Sequence, residues 1–277
     1  VLKKTSLSCY GMALSICGAS LIAHEHSFNN FFLKAGVGGS FSRDADICVD
    51  SRQWNRASEG YTASVGKSEL YTVAAGYTFN KLFSTECEVT VRPSFRYQKF
   101  QTPLAASTFS FAGLTPRTRF FRLSNTAIMA NLYCKGAGVA DKLAWKFCDD
   151  DWLLQPVLGA GLGISYTNLY DFHTVFCDEA NIINLNGLIT RRVASVELPY
   201  TNRSLSGQVM VGFELTYENF LAYVGYRYFN GGSFKSNNYL TSRNASTDGT
   251  HAGTSVPWKG KLRAHEFVVN IGGSFDI

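Results

Sequence analysis

Glu266-Phe267-Val268-Val269-Asn270-Ile271-Gly272-Gly273-Ser274-Phe275-Asp276-Ile277 decides the fold. Read with a period of two, Phe267, Val269, Ile271, Phe275 and Ile277 share one face, with Gly273 between them. Glu266, Asn270, Gly272, Ser274 and Asp276 share the other, broken only by Val268. Successive side chains of an extended chain point to opposite sides, so this pattern is a strand between an apolar phase and a polar one.

The same alternation recurs upstream. Near 31–42, Phe31, Leu33, Ala35, Val37 and Phe41 oppose Lys34, Gly36, Gly38 and Ser40. Near 70–79, Tyr71, Val73, Ala75, Tyr77 and Phe79 oppose Thr72, Ala74, Gly76 and Thr78. Near 87–98, Val89, Val91, Phe95 and Tyr97 oppose Glu88, Thr90, Arg92, Ser94, Arg96 and Gln98, with Pro93 predicting a bulge. Near 119–134 the pattern is weakest: Ile128, Ala130 and Leu132 face out, and Met129 faces in. Segments near 153–167, 208–217 and 220–229 repeat it, the first with Gly159, Gly161 and Gly163 on the polar side. Each is long enough for the roughly 9–11 residues that a tilted strand needs to cross a bilayer.

The connections add topology. They are expected at 43–68, 80–85, 101–118, 135–151, 168–203, 218–219 and 233–259. The first, third, fifth and seventh are long, the second and sixth tight, and the fourth intermediate. A soluble sandwich has no reason to alternate this way, whereas a membrane barrel has short turns on one side and long loops on the other. In lipid every backbone N–H and C=O needs an internal partner, so a sheet with a lipid-facing side must close. The expected fold is all-β: a closed antiparallel transmembrane β-barrel of eight strands.

Composition agrees. Charged residues are 17% of the 277, below the roughly 25% of soluble domains, while aromatics reach 14% and there are 25 Gly. Near-neutral mean hydropathy suits a molecule whose two faces cancel. Lys3 and Lys4, then the apolar stretch from Leu7 to Ala23, form the pattern of a secretory signal peptide over residues 1–23, leaving a barrel over 28–277 with four long external loops. Without Lys3 and Lys4, 24 basic residues face 21 acidic ones, too balanced and scattered for nucleic-acid binding.

On these features the chain resembles the small bacterial outer-membrane barrels that include the OmpA transmembrane domain and the opacity-type surface proteins. The resemblance covers residues 28–277 and rests on the signal peptide, the loop alternation and the terminal strand. It implies a bacterial outer-membrane location, contact with outer-membrane lipid and lipopolysaccharide, and recognition of residues 266–277 by barrel-assembly machinery. The chain departs from that pattern at its last residue, Ile277, where the family ends in Phe or Trp. The motif is architectural and names no activity.

The polar faces supply the candidate site. Lys34, Glu88, Arg92, Arg96, Glu214, Arg227 and Glu266 would line a lumen about wide enough for side chains to fill, and are expected to plug it as ion pairs. The function expected is non-enzymatic: a barrel anchoring surface loops that meet a host or surface ligand. A small channel for ions or hydrophobic solutes, and a lipid A-modifying hydrolase, stay open as alternatives. For the hydrolase, His265 and Glu266 are strand neighbours on opposite faces and form no dyad. Among cysteines, Cys134–Cys148 and Cys48–Cys177 are expected disulfides, with Cys87 left alone. No metal site and no cofactor are expected.

Overall fold

The computed structural model describes residues 30–43, 45, 47, 64–101, 117–148, 151–176, 192–197, 200–236, 239–243, 250–254 and 258–275. The strands, in chain order, are β1 (Asn30–Ser42), β2 (Lys67–Thr78), β3 (Phe83–Gln101), β4 (Arg117–Lys135), β5 (Trp145–Phe147), β6 (Trp152–Phe176), β7 (Arg192–Glu197), β8 (Tyr200–Tyr217), β9 (Phe220–Lys235), β10 (Tyr239–Arg243), β11 (Thr250–Thr254) and β12 (Lys259–Phe275). One helical turn, α1 (Gly136–Val139), follows β4. No described helix is long and apolar enough to cross a membrane.

Eight strands form the wall, in the order β1, β2, β3, β4, β6, β8, β9, β12 and back to β1, every pair antiparallel. The closing seam pairs the first wall strand with the last, from Phe31 opposite Phe275 to Ser42 opposite Ala264. The short strands β5, β7, β10 and β11 pair outside this ring. The chain is an outer-membrane-type β-barrel whose eight wall strands close into one ring.

The wall strands outrun their expected ends: β6 continues to Phe176, β8 begins at Tyr200 and β9 continues to Lys235. Ladder hydrogen bonds need no apolar face, so pairing persists above the greasy band, where the alternation fades. At the opposite end the turns are tight. Asn80 accepts hydrogen bonds from the amides of Leu82 and Phe83, both at 2.8 Å, and so folds the β2–β3 turn. The β8–β9 turn is two residues long, with Glu218 at φ 47°.

Sidedness follows the alternation. Val37, Val73, Leu162, Val209, Val224, Phe267, Val269 and Ile271 are exposed on the outer wall, while Lys34, Thr72, Asn131, Met129, Gln208 and Asn270 are buried inside. The β6 glycines make room for β4. A Cβ at Gly161 would lie 1.9 Å from Oδ1 of Asn131, and one at Gly159 would lie 2.6 Å from the ring of Tyr133.

One expectation fails by half a period. Unbroken alternation puts Phe95 and Tyr97 outward and Arg96 inward; in the barrel Phe95 and Tyr97 are buried inside and Arg96 is exposed. The cause is the bulge at Pro93. Arg92 pairs with Asn125 but Phe95 pairs with Leu123, so two β3 residues stand against one of β4 and the phase inverts.

Candidate functional site

Inside the ring the described side chains fall into three layers. Nearest the short-turn end, Lys34 of β1 contacts Glu86 of β3 (Nζ to Oε2, 2.5 Å). Both partners of this pair are buried, so the ammonium and the carboxylate compensate each other's loss of solvent. The other oxygen, Oε1, accepts from Tyr133 at 2.5 Å and Asn131 at 3.0 Å. The Lys34 ammonium also lies over the rings of Phe32, Tyr133 and Tyr223, at 4.9, 5.1 and 5.7 Å. Beside this pair, Lys135 meets Glu214 at 2.7 Å, and Gln155 donates to the same oxygen at 3.2 Å.

The middle layer spans the lumen. Glu266 of β12 receives Arg92 of β3 through a two-point fork, Nε to Oε1 at 2.5 Å and Nη2 to Oε2 at 3.0 Å. Arg227 of β9 also pairs with Oε2 of Glu266, and donates from Nη1 to Glu88 at 2.7 Å. Ser40 of β1 donates to Glu266 at 2.6 Å, and Thr90 to Glu88 at 2.6 Å. Arg92 donates onward to Asn125 of β4, and Asn125 to Thr167 of β6, both at 2.9 Å. One connected network thus ties six of the eight wall strands across the axis.

Both layers balance: Lys34 and Lys135 against Glu86 and Glu214, Arg92 and Arg227 against Glu88 and Glu266. Full pairing is what makes burial tolerable, because an uncompensated ion in such an interior costs several kcal/mol.

The third layer, toward the long loops, is apolar. Phe95, Tyr97, Phe121, Leu123, Leu169, Phe172, Phe229, Phe234, Trp258 and Leu262 form one buried cluster, joined by Ala45, Ile47 and Val65 from beyond the wall strands. Tyr97 stacks on Phe121 with centroids 4.5 Å apart, and Trp258 packs edge-on against Phe172 at 5.5 Å. Arg92 bridges the two layers, its guanidinium lying 3.7 Å from the ring centroid of Phe229.

Six of the seven sequence candidates meet in these networks: Lys34, Glu88, Arg92, Glu214, Arg227 and Glu266. Arg96 does not, for the reason given by the bulge. Glu86 and Lys135 belong to the site and were missed because they sit at the boundaries of expected connections. Glu86 is two residues from Glu88 on the same strand, a spacing that places both on one face.

The cysteine expectation is corrected. Cys134 and Cys148 are free. Cys134 is opposite Leu158 while the β5–β6 hairpin places Phe147, next to Cys148, opposite Trp152. Six residues of β6 separate these levels, roughly 20 Å at about 3.3 Å per residue, whereas a disulfide needs Cα atoms within about 7 Å. Cys48 and Cys177 lie outside the described residues, as does the expected signal segment. Among the described residues no three of His, Cys, Asp and Glu converge as a metal ligand set. His265 lies on the outer wall, bonded through Nδ1 to the Tyr226 hydroxyl at 2.5 Å, and Glu266 points inward.

No protein-family model matches the chain, and no curated protein matches it in sequence. Similar solved structures include the outer membrane protein OprG from Pseudomonas aeruginosa, at 13% identity and TM-score 0.49, covering 91% of this chain and 98% of that one. Neisserial surface protein A follows at 15% identity and TM-score 0.34, covering 87% and 96%. The outer membrane protein AlkL, solved in lipid bilayers, has 13% identity and TM-score 0.36, covering 94% and 97%. Likeness of this degree says nothing of activity, and the barrel assignment rests on this chain's own register and sidedness.

Proposed function

We propose that the chain is a surface-anchoring outer-membrane barrel whose lumen is sealed and whose long loops make contact with a host or surface ligand. The observation that carries this reading is the double seal: an ion-pair network tied to six wall strands, capped by a close-packed aromatic cluster. An ion entering such a lumen would have to break balanced buried pairs and then pass an apolar layer. The barrel then works as a rigid base, and binding resides in the loops that it holds. In this reading residues 1–23 direct export, residues 266–277 are read by the barrel-assembly machinery, and lipopolysaccharide surrounds the long-loop end.

Planar-bilayer recording tests it. The wild-type chain is expected to leave a quiet baseline; steady, reproducible openings would replace the reading with a channel. The acyl pattern of lipid A incubated with the protein is expected to stay unchanged, and loss of an acyl chain would replace it with a hydrolase.

A further inference from the structure

Beyond the apolar band, on the long-loop side, the outer wall turns basic. Among the described residues, five neighbouring strands of the ring, β8, β9, β12, β1 and β2, present Arg203, Lys235, Lys259, Lys261, Arg263, Arg43 (the residue after β1) and Lys67 outward, with Glu69 the one outward acid. At the short-turn end the described surface is balanced, with Lys81, Lys142 and Lys146 against Asp141, Asp151 and Glu218. Among the described residues, basic charge therefore concentrates on this stretch of the wall.

The centre of the patch is a groove of about 440 Å³ lined by Asn202, Ser233, Phe234, Lys235, Lys259, Gly260 and Lys261. Lys235 and Lys259 are direct register partners across β9 and β12. Like charges directly opposite in a ladder destabilise it, yet the backbone fixes them there. Asn202 donates to the Lys235 carbonyl at 2.8 Å and accepts from its amide at 3.0 Å. The register shift opposite Leu262 and Arg263, with Gly232 at φ 77°, turns Phe234 inward and Lys235 outward. The Lys235 ammonium leans over the ring of Tyr200 on β8, 5.8 Å from its centroid, and an anion held jointly with Lys259 and Lys261 would offset the remaining repulsion.

We infer that this groove binds the phosphate of an anionic lipid in the adjoining leaflet. The inference rests on the membrane reading above. A lipid, rather than a soluble anion, is indicated by continuity along one strand face. Ile271, Val269 and Phe267 are exposed and apolar, and His265 sits against Tyr226 and Tyr228 where the band ends. Arg263 and Lys261 follow two and four residues further on, roughly 7 and 13 Å along a tilted strand. Acyl chains lying on Phe267 and Val269 would therefore bring a headgroup phosphate to the lysines.

Native mass spectrometry of the full chain, folded in detergent, tests this with diphosphorylated lipid A, its dephosphorylated counterpart and inorganic phosphate as probes. The wild type is expected to retain the diphosphorylated lipid in preference to the dephosphorylated one. The triple variant K235Q/K259Q/K261Q should lose at least about tenfold in apparent affinity, since each basic residue near a lipid surface contributes appreciably. The triple variant K81Q/K142Q/K146Q, with the same loss of charge, should bind as the wild type does. Equal losses in both triples, or equal retention of both lipids, would overturn the inference, as would displacement of the lipid by inorganic phosphate. Both triples are checked for the folded band of an unheated gel; if K235Q/K259Q/K261Q does not fold, K261Q alone is expected to weaken binding while remaining folded, and unchanged binding there would overturn the inference. If these losses are absent but the wild type still inserts into vesicles, the membrane reading survives alone; failure to insert would remove both.

Discussion

At the scale of single residues, Glu266 carries more of this interior than any other group. It accepts from Arg92, Arg227 and Ser40 and is fully buried. Glu266→Gln keeps the shape and removes the charge, leaving two buried arginines with Glu88 as their only carboxylate. Removing one partner from a buried ion network costs about 3–5 kcal/mol, and a loss of that size is expected in a urea titration followed by the folded gel band. Arg96→Gln, on the exposed side of the bulge, should change stability by no more than about 0.5 kcal/mol. If the two substitutions cost the same, the lumen network is not what holds the interior. Alternation alone made Lys34, Glu88, Arg92, Glu214, Arg227 and Glu266 legible as inward groups, because a strand's period of two fixes the side. Which acid meets which base was not legible, since pairing depends on the ring bringing β3, β9 and β12 to face one another.

At the scale of elements, β3 shows both what periodicity can and cannot deliver. Pro93 announced a bulge, since it cannot donate to a ladder. The consequence, an inverted phase from Phe95 onward, required knowing that two residues stand against one of β4. Similarly, the extension of β6, β8 and β9 toward the long loops carries no apolar signal, so only pairing reveals it. Deleting Ser94 would remove the extra residue and point Phe95 and Tyr97 toward lipid, with Arg96 inside. A tryptophan reporter reads this: Tyr97→Trp should resist quenching by brominated lipid in the wild-type background, while Val91→Trp, on the exposed side, should be quenched strongly. Strong quenching at position 97 without the deletion would place the phase change elsewhere. The deletion itself is expected to abolish the folded gel band, because an arginine and two aromatics exchange environments at once.

At the scale of the whole molecule, closure unites the rest. The eight-strand count, the short and long connections and the sidedness were readable because lipid imposes one rule on every backbone group. The filled interior follows from the count, since a ring of this size leaves space for side chains and little else. The claim on which all of this depends is that the first and last wall strands are neighbours. Val37 and Val269 are register partners on the outer face of that seam, 232 residues apart in the chain. The double variant V37C/V269C, in a background with the native cysteines replaced by serine, should cross-link with a short bifunctional thiol reagent in the folded, membrane-inserted protein. Boiling would then leave a closed loop of chain with altered gel mobility, reversed by a cleavable reagent. Efficient cross-linking is the predicted result; folded protein in which these two positions never join would show an open sheet and contradict the account.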